Sequence, residues 1–95
     1  MRRCVKITII GKVQDVGYRS FAKKNAEKFQ IEGIAQNQED GSVLITVCGD
    51  SNKLDDFIDA LYKGPPKAKV NDVLVEPFLQ DRDFRGVFRV IGINK

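Results

Sequence analysis

Polar and apolar residues alternate from position 4 to 10: Val5, Ile7 and Ile9 fall on one side, Cys4, Lys6, Thr8 and Ile10 on the other. A period of two describes a strand with one buried and one wetter face. The period then lengthens. Tyr18, Phe21, Ala22, Ala26 and Phe29 recur at helical spacing, which predicts a helix from Val16 or Tyr18 to Phe29. Its apolar stripe packs on the sheet, and Lys23, Lys24, Glu27 and Lys28 lie mainly on the solvated side. A second strand is expected over 33–38 and a third over 42–48, with Val43, Ile45 and Val47 on one face. Between them Gln38-Glu39-Asp40-Gly41 reads as a hairpin turn. Leu54, Phe57, Ile58 and Leu61 form a second helical stripe. Asp50 or Ser51 caps that helix, Asp55 and Asp56 complement the dipole in its first turn, and Gly64 followed by Pro65-Pro66 ends it. A fourth strand is expected over 69–76 and a last one over 86–93. The charged loop between them, 78–85, carries Phe78 and Phe84 in positions that periodicity does not place.

The order β-α-β-β-α-β with an added strand is the ferredoxin-like split β-α-β arrangement. The expected fold is thus an α+β two-layer sandwich, an antiparallel sheet with both helices on one face. A length of 95 residues suggests a single domain over 1–95. A hydrophobic fraction of 42% and a charged fraction of 31% describe an ordinary globular chain. No apolar run is long enough to span a membrane, and the expectation is a cytoplasmic monomer. The net charge of +3 favours anions in general but lacks the basic stripe of nucleic-acid binders. The exposed positions of the inner strands, Lys6, Thr8, Ile10, Leu44, Thr46 and Cys48, include no aromatic on which a base could stack. No nucleic-acid partner is expected.

The sequence contains no histidine, and its two cysteines stand on separate strands. Zinc sites of the usual Cys/His spacing are excluded, as are Ser-His and Cys-His nucleophilic pairs; no metal site and no cofactor are expected. In this topology strands one and three are antiparallel neighbours. Cys4 and Cys48 then share the face away from the helices and can lie close together. Free thiols are expected in a cytoplasmic protein, unless the two are merely unrelated small apolar residues.

The chemistry concentrates where the first strand meets the first helix, in Gly11-Lys12-Val13-Gln14-Asp15-Val16-Gly17-Tyr18-Arg19. A strand-to-helix loop exposes backbone N–H groups, and the helix start adds unpaired donors and partial positive charge. Such a place suits an anion. A lone arginine is ordinarily a solvated surface charge; Arg19 gains interest because its guanidinium can share a phosphate with those donors. No Gly-Lys-Ser/Thr triplet makes the loop a P-loop, and it lacks the three spaced glycines of a dinucleotide site.

This stretch resembles the acylphosphatase signature, Gly-x-Val-Gln-Gly-Val-x-aromatic-Arg, matching at Gly11, Val13, Gln14, Val16, Tyr18 and Arg19 and departing at Asp15, where the family has glycine. A second block, Gly-x-x-x-Asn-x-x-Asp-Gly-x-Val, is met by Gly33, Asn37, Asp40, Gly41 and Val43. Ile34, Ala35 and Gln36 stand where tryptophan, valine and arginine are usual. The resemblance implies the ferredoxin-like fold reached above and a metal-independent hydrolysis of acyl phosphates to a carboxylate and inorganic phosphate. It implies that Arg19 holds the phosphoryl group, that the backbone of Val13, Gln14, Asp15, Val16, Gly17 and Tyr18 cradles its oxygens, and that Asn37 orients the attacking water. Read alone, Asn37 is a turn amide bonding its own backbone. The Gln14 side chain is expected only to brace the loop. The alternative is a catalytically weakened relative that binds an anion or partner, with Asp15 the reason for its loss.

Overall fold

The computed structural model describes residues 1–92. Five strands and two helices follow the order β1 (Arg2–Lys12), α1 (Tyr18–Lys28), β2 (Glu32–Asn37), β3 (Val43–Asp50), α2 (Ser51–Lys63), β4 (Lys69–Pro77), β5 (Phe88–Ile91). The sheet order is β4-β1-β3-β2-β5. Val5, Ile7, Ile9, Val43, Ile45 and Val47 bury one face of the inner strands against Ala22 and Ala26 of α1 and Leu54, Phe57 and Leu61 of α2. The alternation of β1 and β3 therefore decides which face the helices cover. Each of the larger side chains, fully buried, contributes roughly 1.5–3 kcal/mol.

The two helices begin and end differently. Asp50 caps α2, its carboxylate accepting from the Asn52 N–H at 3.2 Å. Gly64 ends the helix, its N–H reaching Ala60 O. Asp55 and Asp56 fall in the second turn of α2, since the helix starts at Ser51 and its first turn holds no acid. Gly17, at φ 77°, precedes α1 without any side-chain cap among the described residues.

Gly11 marks a shift in the β1–β4 register, between Ile10 and Gly11. A Cβ there would stand 2.1 Å from Lys69 O, so only glycine lets β4 approach as the chain turns out of the sheet.

Two expectations about the sheet need correction. The first concerns strand direction. β2 and β3 pair antiparallel, as do β1 and its neighbours, but β5 runs parallel to β2; the sheet is mixed. The chain leaves β4 opposite Val5 and enters β5 opposite Gly33, at the same end of the sheet. Residues 78–87 cross that end, and β5 then climbs beside β2. Position 93, expected to close this strand, lies outside the described residues.

The second concerns the cysteines. Cys4 and Cys48 are direct partners in the β1–β3 register and are joined as a disulfide, with Cα atoms 4.0 Å apart. The expectation of free thiols came from compartment; the register places the sulfurs side by side whatever the compartment. Cys48 is fully buried. The crossing loop passes over Cys4, with Asp81 Oδ1 3.6 Å from its sulfur. Arg2 holds this loop, donating to Asp81 Oδ1 at 2.9 Å and Arg82 O at 2.9 Å and pairing with Glu32 at 3.1 Å. Glu32 in turn accepts the N–H groups of Phe84 and Gly86. That framework places the two unassigned phenylalanines: Phe84 is buried, and Phe78 extends the ladder, its N–H reaching Cys4 O at 3.0 Å.

Candidate active site

The loop between β1 and α1 takes a left-handed turn at Asp15, φ 60°, and again at Gly17, φ 77°. Aspartate tolerates that conformation better than most residues. Alternating backbone of this kind turns successive N–H groups toward one side. Among the described residues, the N–H groups of Gln14, Asp15, Val16 and Gly17 donate to nothing. With the N-terminus of α1, they form a concentration of positive partial charge.

A cavity of about 200 Å³ opens at this point, lined by Val13, Asp15, Gly17, Tyr18, Arg19, Ser20 and Asn37. Arg19 and Asn37, distant in sequence, thus border one space. Arg19 is 5% exposed, unlike an ordinary surface arginine. Its Nη1 donates to Ile91 O at 2.7 Å. A Cβ on Gly92, at φ 100°, would come within 3.3 Å of the same Nη1, so the glycine leaves room for the guanidinium. Neither Ile91 nor Gly92 was among the expected site residues. The one available signal was a glycine following a β-branched run, and nothing local in sequence links it to Arg19.

Asn37 ends β2 opposite Val43. Its Oδ1 is buried and has no hydrogen-bond partner among the described residues. A buried acceptor left unpaired costs about 1–3 kcal/mol, and the cavity beside it has room for a donor such as water. Tyr18 also lines the cavity, while its hydroxyl donates to Leu61 O at 2.7 Å and burial pushes its phenol well above the usual range. The ring therefore ties α1 to α2. Val16 packs against the core, and Gln14 turns its side chain to the β2–β3 hairpin. Asp15 is exposed and makes no ion pair with Lys12 or Arg19 among the described residues.

Among the described residues, one cluster has the ligand atoms for a metal: Cys4, Cys48 and Asp81. Its sulfurs are bonded to each other, and it lies near the start of β1, roughly 25 Å along the strand from the loop.

The family profile of acylphosphatases matches residues 5–90. The chain belongs to the acylphosphatase family. It is 42% identical over 74 residues to an acylphosphatase of Thermotoga petrophila, covering 78% of this chain and 82% of that one. It is 46% identical over 66 residues to an acylphosphatase of Aliivibrio fischeri, covering 70% and 73%. The crystal structure of acylphosphatase from Bacillus subtilis superposes with a TM-score of 0.90 at 32% identity, covering 97% of this chain and 100% of that one. Among the described residues, no helix is long and apolar enough to cross a membrane.

Proposed function

We propose that this member of the acylphosphatase family hydrolyses acyl phosphates to a carboxylate and inorganic phosphate, without a metal. The observation that carries this reading is the shared cavity: Arg19, a loop of unengaged N–H donors, and an unpaired carboxamide oxygen on Asn37 all border it. Arg19 and the loop donors bind the phosphoryl oxygens and stabilise the charge that develops on them. Asn37 Oδ1 accepts a hydrogen bond from the attacking water and holds it in line with the departing carboxylate. The carboxylate is a good leaving group and needs no acid to protonate it. The water's proton passes to the phosphoryl oxygens. Phosphoryl transfer depends chiefly on positioning and charge stabilisation, which suits a site without histidine.

The reading of a domain that has lost catalysis through Asp15 is the weaker one. The left-handed backbone at Asp15 keeps the loop's shape, and its exposed carboxylate does not bridge to Arg19.

Benzoyl phosphate turnover tests the proposal. Activity is expected to be the same with and without EDTA. Arg19→Ala should lose both turnover and competitive inhibition by phosphate, because Arg19 meets charge already present in the ground state. Asn37→Ala should lose turnover while phosphate still inhibits. Absence of turnover above a heat-treated control, or its abolition by EDTA, overturns the reading.

A further inference from the structure

The Gln14 side chain does more than hold its own loop. Its Nε2 donates to Gln38 O at 2.8 Å and to Ser42 O at 2.9 Å, across the mouth of the β2–β3 hairpin. Both acceptors are already used once: Gln38 O receives the Gly41 N–H at 3.1 Å, and Ser42 O receives the Gln38 N–H at 2.9 Å. An amide nitrogen has two hydrogens and a carbonyl oxygen two lone pairs; Gln14 spends both hydrogens to complete both carbonyls. The hairpin beneath is equally satisfied. Ser42, 5% exposed, donates from its hydroxyl to Asp40 Oδ1 at 2.6 Å and from its N–H at 2.9 Å, and its Oγ accepts from Gln38 Nε2 at 2.9 Å. A continuous network therefore runs from the phosphate loop through Gln38 and Ser42 to Asp40, and Asn37 is the residue next to Gln38.

We infer that Gln14 is a positioning residue for the attacking water: it sets the distance between the loop donors that hold the phosphoryl group and the Asn37 oxygen that holds the nucleophile. The inference rests on the acylphosphatase reading of the cavity and deepens it. Those two sets of groups come from different elements, with no covalent link shorter than α1 and β2. In-line attack tolerates little error, and a displacement of about 1 Å can cost on the order of a hundredfold in rate. Phosphate affinity depends on the loop and Arg19 alone. Water alignment depends on the loop and hairpin together, and Gln14 is the side chain that joins them.

A double-mutant cycle tests this. Gln14→Met keeps the side chain's bulk and removes its donors. With benzoyl phosphate, Gln14→Met in the wild-type background is expected to lower kcat by about tenfold or more, while the inhibition constant of inorganic phosphate changes less than about twofold. In the Asn37→Ala background, where the water is no longer held, the same substitution should change kcat by less than about twofold. Circular dichroism and thermal melting establish that each variant is folded. A residue that merely supported the fold would produce the same loss in both backgrounds. Equal losses, or a phosphate affinity that falls in step with kcat, overturn the positioning role and leave the hydrolase reading standing. A wild-type protein that hydrolyses no acyl phosphate overturns both.

Discussion

Arg19 places a full positive charge in the first turn of α1, against the helix dipole. That opposition costs roughly 0.3–1 kcal/mol, and burial adds to it. The Ile91 carbonyl offsets part of the cost, and a phosphate dianion would reverse the sign. Asp15 works the other way. Its backbone keeps the loop open, yet its exposed carboxylate puts negative charge beside the proposed anion site. At an effective dielectric near 20 two like charges a few ångströms apart repel appreciably, and solvent and salt reduce the effect. Asp15→Gly is therefore expected to raise kcat/KM on benzoyl phosphate by about tenfold at low salt, with the gain shrinking as salt is added. An unchanged kcat/KM in a folded variant would show that this charge does not reach the substrate.

The hairpin joining β2 and β3 is the element on which Asn37 depends, and it is secured by a charged group. Hydrogen bonds from the Ser42 hydroxyl, and then from its backbone N–H, hold the Asp40 carboxyl below the usual carboxylate range. A carboxyl whose pKa is lower folded than unfolded stabilises the fold fully above its unfolded pKa, and that contribution is lost as pH falls through the folded one. Asp40→Asn should therefore be less stable than wild type at pH 7. The gap should begin to narrow as pH falls through the ordinary aspartate value of about 3.9 and close only below the lowered folded value, where the wild-type carboxyl is protonated too. Urea midpoints at the two pH values measure it; a gap independent of pH would mean that the Asp40 charge is not what secures the turn. Asp50, also held low by the N-terminal amine, titrates in both proteins and cancels from the difference.

Across the whole molecule, stability and chemistry sit at opposite ends of the sheet. The disulfide closes a sequence separation of 44 at the end where β1 begins; the loop between β1 and α1 leaves the end where β1 finishes. Removing the bond in the Cys4→Ala/Cys48→Ala double variant is expected to cost about 2–4 kcal/mol, a fall in Tm of roughly 10–20 °C for a chain of this size. Below the transition, kcat/KM should stay within about twofold of wild type, because no part of the cavity touches the bridge. Matching losses of activity and stability would show that the two ends are coupled. The same layout explains the strand that runs against expectation. Because β5 is parallel to β2, its far end arrives beside Gln36 and delivers the Ile91 carbonyl and Gly92 to Arg19. An antiparallel β5 would bring its first residues there.

What could be read from the sequence was whatever is local. A period of two or of 3.6 is written in neighbouring residues, so the strands of Val5-Ile7-Ile9 and Val43-Ile45-Val47 and the helix of Leu54-Phe57-Leu61 were legible, as was the Gly64-Pro65-Pro66 stop. The loop from Gly11 to Arg19 was legible because its motif and its position between strand and helix are both short-range. Asp55 and Asp56 lie beyond the first turn whether Asp50 or Ser51 is the cap, because helical position is counted from the capping residue. The folded chain decided the rest. The direction of β5 depends on which way residues 78–87 cross the sheet, and Arg2, Glu32 and Phe84 settle that from distant positions. The Cys4–Cys48 bond depends on the β1–β3 register, the buried setting of Arg19 on Ile91 and Gly92, and the reach of Gln14 on two carbonyls of the hairpin. Each of these is a contact between segments tens of residues apart, and periodicity carries no record of which side chains such contacts bring together.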